Sequence, residues 1–584
     1  MPSPARSPAP TAAAAAVSAP ALSDRWFFGR WSDLLLGCGL WYAAAFVAMS
    51  FAGESIQAAL PFAMALLPIN LVSSAHYGAT ALRAYERTED RRTYALFTLW
   101  TTLVLGACFV AGLASAEAGS WFVTVYLTWS PWHYALQNFG IAMAFLRRRG
   151  IEVTPLARRL LHASFVLSFV LAALALHATA PRASYAPNEL GSGDYSFLAL
   201  GPRFGLPGGV ADALLATAAA VYVVVTSAAF VVLSRKTTLR DAFPALALVA
   251  TQALWFSVPV AARHWDVLTG LAPLAADHAT YAFLWIGAGH AAQYLWITSY
   301  FARRAGRSSS HAGFLTRSLL AGTALWTVPA LLFAPGLLGR LPYDAGLALM
   351  VAALVNLHHF VLDGVIWKLR DARIARILLV RSGAPADAPA PAMRPWVRTA
   401  LWTSGTALLV WGAATALLTE FGFNRALRRG DLDAARRASE RLDLLVQASA
   451  ERPLQIGQRA LESGDVVAAR RNLERSLEVL PTAWAWVGIG DLHARRGAWT
   501  EAADAYGRAL ALEPDHAVAN FNAGLVSLEQ GHLERGRRAL LKARASILAN
   551  PEGASPGFLE TVDQTLGELD AAEPAPARPA PRRP

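Results

Sequence analysis

The run LALMVAALVNLHHFVLDGVIWKLR, residues 347–370, decides how this chain is read. A bilayer span takes about 20 mainly apolar residues, and this run has enough of them. It carries no formal charge before Asp363 and ends on Lys368 and Arg370, as a span does at a basic membrane face. Within it lie His358, His359 and Asp363. Such groups are expensive in hydrocarbon and mark function by default.

Ten further stretches have the same character. With this one they run roughly 31–52, 56–82, 94–115, 119–146, 159–180, 210–234, 242–262, 278–302, 315–338, 343–367 and 397–419. Composition agrees: of 584 residues, 55% are hydrophobic and only 16% charged, with a mean hydropathy of +0.34. A soluble domain carries about 25% charge. In alternate loops, Lys and Arg number 25 on one side and 4 on the other up to Arg398. This bias puts the N-terminus in the cytoplasm, and an odd number of spans puts the C-terminus outside. The net charge of +11 is therefore an orientation signal, and nucleic acid is not expected as a partner. Two cysteines, Cys38 and Cys108, both in apolar runs, exclude a disulfide scaffold. Residues 1–24 are almost all Pro, Ala and Ser and are expected to be a disordered cytoplasmic tail. The Ala12–Ala16 run lacks Leu and Ile and is followed by Pro20, so it is not a signal-peptide core.

After Leu418 the composition turns to Ala, Arg, Glu and Leu. Gly430, Gly464, Gly497 and Gly531 follow one another at spacings of 34, 33 and 34, each at the hinge of a helix–turn–helix pattern. The third copy carries Trp486, Gly490, Gly497, Ala502, Tyr506, Ala509 and Pro514. The fourth keeps Gly524, Gly531, Ala539 and Ala543, and the second keeps Gly457, Gly464, Ala469 and Pro481. This pattern resembles the tetratricopeptide repeat. In the first copy the A-helix is the end of the last span, and its B-helix is Asp431–Leu445. The resemblance implies an α-solenoid that binds a protein or peptide and performs no chemistry itself.

The expected fold is all-α: a polytopic membrane helix bundle of about 11 spans followed by a tetratricopeptide α-solenoid. Its parts are the tail 1–24, the membrane domain 25–419, the repeats 420–550 and a last segment 551–584 that returns to Pro, Ala and Arg. The expected location is a bacterial inner membrane with the repeats in the periplasm.

Four spans carry histidine well inside the apolar region: His76, His133, His290 and the pair His358–His359. All four run in the same direction, and each ends at a basic cluster. Measured from those clusters at about 1.5 Å per residue, the imidazoles share one layer some 10 Å deep. Asp363 follows His359 by four residues and shares its helix face. Gln137, Gln293, Tyr77, Tyr134, Tyr294, Pro131 and Asn356 accompany them. Imidazole is the commonest protein ligand of Fe, Zn and Cu, and a carboxylate beside it orients the ring or binds the ion. The candidate ligands are thus His76, His133, His290, His358, His359 and Asp363, sufficient for a two-metal centre. His358 and His359 point about 100° apart and do not easily face one ion. The set is similar in kind to histidine-rich membrane non-haem iron enzymes, namely fatty-acid desaturases and hydroxylases and bacterial carotene-cleaving oxygenases. Their HxxxH and HxxHH boxes are absent, so no residue roles carry over. The resemblance implies a redox enzyme on a lipid-like or isoprenoid substrate, with non-haem iron or another transition metal.

Other readings compete with this one. Paired histidines on facing helices also hold haem b, or serve only as hydrogen-bond links between helices. The architecture also resembles glycosyltransferases that use polyprenyl-phosphate sugars, for which Glu54, Glu189 and Asp194 are the available outer acids. A membrane scaffold working through its repeats is a further reading. Among the remaining residues, His264–Trp265–Asp266 reads as an interfacial anchor, and His493, His516 and His532 as surface positions. Trp26, Trp31, Trp121, Trp265 and Trp367 read as an aromatic belt.

Overall fold

The computed structural model describes residues 25–59, 62–86, 88–177, 206–265, 267–268, 270–271, 279–367, 374, 377–378, 395–549 and 555–572. The tail 1–24, the outer loop 181–205, Asp266, His278 and the terminal stretch 573–584 lie outside the described residues. Among those described, every regular element is helical.

The first group of helices is α1 Arg30–Gly37, α2 Leu40–Ala59, α3 Phe62–Tyr85, α4 Leu96–Ala114, α5 Ala116–Arg148 and α6 Pro155–His177. It continues with α7 Gly208–Ser234, α8 Leu239–Ala262, α9 Ala279–Arg304, α10 His311–Leu332, α11 Tyr343–Ile366 and α12 Thr399–Arg428. Seven of these (α4, α6, α7, α8, α10, α11 and α12) are long and apolar enough to cross a membrane. The pair α1–α2, bent by 65°, makes up to eight. Three more helices are as long but less apolar: α3, α5 and α9, of 24, 33 and 26 residues. They carry His76, His133 and His290, so their polarity is concentrated where the candidate ligands are. The most buried of the apolar helices are α8 and α11, whereas α4, α7 and α12 lie at the periphery.

Two devices fix α3, which supplies part of the site. Ser74 and Gly78 on α3 face Ser318 and Gly322 on α10, each pair four residues apart. A Cβ on Gly78 would lie 1.8 Å from the Ser318 carbonyl oxygen, and one on Gly322 would lie 1.6 Å from that of Ser74. The helices therefore touch backbone to backbone, as small residues permit in membrane bundles. At one end of α3, Asp90 binds Arg83 at 2.9 Å and Arg307 at 2.7 Å, tying the short helix Thr88–Thr93 that follows α3 to the turn after α9. Burial by itself would raise the Asp90 pKa, but the two guanidinium groups hold it below the ordinary carboxylate value.

The C-terminal part is a series of paired helices: α13 Leu432–Leu444, α14 Glu451–Glu462, α15 Val466–Val479, α16 Ala483–Ala494, α17 Trp499–Leu512, α18 Ala517–Glu529, α19 Leu533–Ala549 and α20 Phe558–Ala572. Gly430, Gly464, Gly497 and Gly531 each sit at a helix end with φ between +71° and +81°. This is the left-handed region that glycine enters without steric cost, so the 33–34-residue spacing is one of helix stops. Helix α12 runs on past the membrane-length segment, and its end packs on α13 through Phe423, Ala426, Ala435 and Ala438. Trp411 Nε1 donates to the Leu445 carbonyl at 3.1 Å, and the Ser449 hydroxyl donates to Asp344 at the start of α11. Leu480 packs against the membrane-side core around Val351 and Phe360.

Candidate metal centre

Each site helix presents its polar residues four apart, on one face: His76 and Thr80 on α3, His133 and Gln137 on α5, His290 and Tyr294 on α9, His359 and Asp363 on α11. The four faces meet. His76, His133, His290 and His359 are 2%, 8%, 1% and 2% exposed. Their rings form a closed circuit, with centroids 4.8 Å apart for His76–His290, 4.9 Å for His290–His133, 4.9 Å for His133–His359 and 4.2 Å for His359–His76. Tyr134 stacks on His290 at 4.0 Å and Phe360 on His133 at 4.5 Å, closing the circuit from the sides.

Within this circuit the donor atoms converge in two groups of three. The better-defined group is His133 Nε2, His359 Nε2 and Asp363 Oδ2, with edges of 3.2, 3.6 and 3.8 Å. Three ligands about 2.1 Å from one ion stand roughly 3–3.6 Å apart, so the triad has the size of a coordination shell. Two histidines and one carboxylate with open positions are the donor set of non-haem iron oxygenases. The second group is His76, His290 and His359.

Hydrogen-bond bookkeeping fixes the tautomer of His359. Trp367 Nε1 donates to the Tyr294 hydroxyl at 3.0 Å, and Tyr294 donates to Asp363 Oδ1 at 2.6 Å. Thr80 Oγ1 lies 2.6 Å from the Tyr294 oxygen and 2.8 Å from His359 Nδ1. Since the Tyr294 proton is used on Asp363, the one Thr80 proton goes to the Tyr294 oxygen or to Asp363 Oδ1, 3.3 Å away, and in either case is not available to His359. His359 Nδ1 must then carry a proton and donate it to Thr80. His359 Nε2 consequently presents its lone pair to the triad, the arrangement in which a ligating histidine is oriented through its other nitrogen. With Nδ1 engaged, His359 has one nitrogen to offer, so the two groups compete for it and are not two independent ion sites.

Electrostatics point the same way. Asp363 is 8% exposed, and its only ion-pair partners among the described residues are His133 and His359. Among the described residues no Lys or Arg balances it, so a buried carboxylate there calls for a cation or a proton. His76 Nε2 and both nitrogens of His290 are buried without a hydrogen-bond partner. Gln137 Oε1 and Gln293 Nε2 in the same layer also lack one. Links between the helices are made, at Thr80–His359, Tyr294–Asp363 and His133–His359, and they leave these buried atoms over.

His358 stands apart from the group in which the sequence placed it. Its Nε2 meets the Tyr85 hydroxyl at 2.8 Å and Thr102 Oγ1 at 2.9 Å, on the face of α11 toward α3 and α4. The 100° step between consecutive helical residues is the cause. A haem between the histidines finds no slot, since the rings already touch one another at 4.2–4.9 Å. Thr80 was not singled out by sequence, although its four-residue spacing from His76 was available as a signal. Trp367 belongs to the Asp363 network rather than serving only as a belt residue. His516 is buried in the array, 8% exposed, where its Nδ1 accepts from Ala519 N at 3.2 Å and caps α18. Glu189 and Asp194, the acids of the glycosyltransferase reading, lie outside the described residues, and the Glu54 side chain does too. No known protein family matches this chain, and no curated protein is similar to it in sequence.

Proposed function

We propose that this protein is a membrane-embedded, metal-dependent redox enzyme acting on a lipid-like substrate, with its ion held by His133, His359 and Asp363. The observation that carries the reading is the triad of donor atoms at 3.2, 3.6 and 3.8 Å beside buried, unpartnered imidazole nitrogens. Held by these three residues, a non-haem iron ion would supply oxidative chemistry with dioxygen. The chain's own part is to hold that shell in a dry place. Thr80 and Tyr294 orient His359 and Asp363, Tyr134 and Phe360 wall the rings, and His76 and His290 supply further donors beside His359.

Apolar surroundings support a lipid-like substrate. An apolar groove of about 700 Å³ opens between α4, α10 and α11, lined by Phe109, Pro329, Phe333 and Leu354. Thr102 on its wall contacts His358, the residue next to His359. Read as spans beside the apolar candidates, eight with the bent pair α1–α2, helices α3, α5 and α9 would bring the number to eleven, and with a cytoplasmic N-terminus the paired-helix array would then lie outside the cytoplasm. There, as a tetratricopeptide-like solenoid anchored on α12, it recruits a protein or peptide partner to the membrane site.

The test is metal analysis with an absorption spectrum of the detergent-purified full chain after anaerobic loading with ferrous ion. About one ion per chain is expected, without a Soret band. It should be lost in His359→Ala and in Asp363→Asn and retained in His358→Leu. A chain that stays folded and takes up no iron, zinc or manganese would sink the proposal.

A further inference from the structure

Where the last membrane-length helix passes into the array, a groove of about 380 Å³ is lined by Arg425, Arg429, Arg437 and Arg441. Arg425 and Arg429 are four apart at the end of α12, and Arg437 and Arg441 are four apart on α13. Each pair therefore puts like charges side by side on one helix face, an arrangement that costs stability by itself. All four arginines are exposed, and among the described residues none has a carboxylate within ion-pair distance. The neighbouring acids are already engaged. Glu420 accepts from Arg428 at 2.8 Å and Asn424 at 2.9 Å, while Asp433 and Glu440 face Arg436 at 3.7 and 2.5 Å. Asp431, the one acid on the groove wall, caps α13 by accepting from Ala434 N at 2.9 Å. Among the described residues the groove thus carries a surplus of three positive charges, four arginines against Asp431.

What leads up to the groove is apolar. Val410, Leu417 and Phe421 are 61%, 46% and 50% exposed and fall at i, i+7 and i+11, one stripe along α12. Arg425 is the next residue on that stripe, and Leu418 and Phe421 belong to the groove itself. Hydrocarbon-facing side chains followed within two turns by guanidinium groups is the order in which a lipid presents its acyl chain and its phosphate. In the orientation proposed above this is also the face poor in basic loop residues, so orientation signalling does not explain four arginines here.

We infer that this junction binds one anionic phospholipid, with its phosphodiester between the two arginine pairs and an acyl chain along Val410, Leu417 and Phe421. Arginine pairs grip phosphate oxygens through forked donors. The bound lipid would neutralise the repulsion between α12 and α13 and fix the array against the membrane surface. The inference does not depend on the metal site.

The experiment uses the full chain in mild detergent and measures equilibrium binding of radiolabelled phosphatidylglycerol, with phosphatidylcholine and inorganic phosphate as comparison probes. Saturable binding of phosphatidylglycerol is expected, with little binding of phosphatidylcholine. The double variants Arg437→Gln, Arg441→Gln and Arg425→Gln, Arg429→Gln should each weaken it roughly 10- to 30-fold. A charge-matched control, Arg471→Gln, Arg535→Gln, should bind as the parent does. Circular dichroism melting checks that the variants remain folded, and the two double variants guard against failure of either. Equal binding of phosphatidylcholine, equal loss in the control, or displacement by millimolar inorganic phosphate would each overturn the inference.

Discussion

The array and the histidine layer are built by the same device, helical residues four apart presented to a neighbouring helix, and they differ in what is left over. In the array, Asp491 is shared by two partners, the Tyr506 hydroxyl at 2.6 Å and Asn522 Nδ2 at 2.9 Å, both within 31 residues of it. In the layer, four helices drawn from residues 76 to 363 converge, and after their contacts are made His76 and His290 still hold unpartnered nitrogens. The array leaves single atoms over as well, Arg436 Nε at α13 and His516 Nε2 at α18, but on separate helices. The layer differs in gathering its unpartnered atoms in one place, His76 Nε2, His290 Nδ1 and Nε2, Gln137 Oε1 and Gln293 Nε2, which is the feature the proposed metal site uses.

The largest way to break this contrast is steric. Gly78→Leu drives a side chain into the Ser318 backbone 1.8 Å away, where nothing flexible can yield. It should abolish folded protein, a loss above ~4 kcal/mol, and metal uptake with it. Gly490→Leu in the array first meets the Tyr506 ring, 2.4 Å from the new Cβ, and a side chain can turn aside where a backbone cannot. That variant should lose ~1–3 kcal/mol and keep its metal. Thermal melting followed by metal analysis of each variant separates the two. A Gly490 variant that loses metal would show the regions to be one cooperative unit.

The next effect lies within the layer. Thr80→Val keeps the shape of the side chain and removes the oxygen that receives the His359 Nδ1 proton. Metal affinity should fall about 10–100-fold, as for other partners of ligating histidines. His358→Leu, one residue from His359 but turned toward Tyr85 and Thr102, should leave affinity where it was. Competition with a chelator of known affinity measures both. Equal losses in the two variants would mean that the layer responds to packing and not to ligand orientation.

These cases also show what could be read in the sequence and what could not. Periodicities of one helix were legible: His359 and Asp363 on one face, and the hinge glycines 33–34 residues apart that became left-handed helix stops. A common depth for the histidines was legible too, because basic clusters mark where spans end. Rotation about each helix axis was not. His358 and His359 share a depth, and only packing decides which of them turns inward. Thr80 escaped notice because a threonine in a membrane helix ordinarily bonds its own backbone, as Thr98, Thr124 and Thr128 do here. The groove arginines were visible as residues but belong to two helices, and their shared face exists only once α12 and α13 fold together.

A smaller effect probes the satisfied side of the contrast. Tyr506→Phe removes the 2.6 Å bond to Asp491 and leaves the ring that fills the space against Gly490. The array should lose about 1 kcal/mol, the net worth of one such bond, or somewhat more because the acceptor is charged. Denaturant titration of the full chain, followed by hydrogen exchange in 483–512, reads it. An unchanged array would mean that Asn522 alone satisfies Asp491.

The smallest expected effect depends on pH and concerns His516. Burial pushes its pKa down to about 4, and its Nδ1 accepts from Ala519 N only when unprotonated. In the unfolded chain the same histidine titrates near 6.5. Between those two values the unfolded state binds the proton and the folded state does not, so stability falls as pH drops. The full contribution is present above about pH 6.5 and lost progressively down to about pH 4. Hydrogen exchange of residues 517–529 in the full chain, corrected for its intrinsic pH dependence, should show protection declining over that window. His516→Asn keeps a capping acceptor that does not titrate, so its decline over the same window should be smaller. If the two profiles coincide, the acid sensitivity of the array comes from its carboxylates, and the cap at α18 contributes nothing to it.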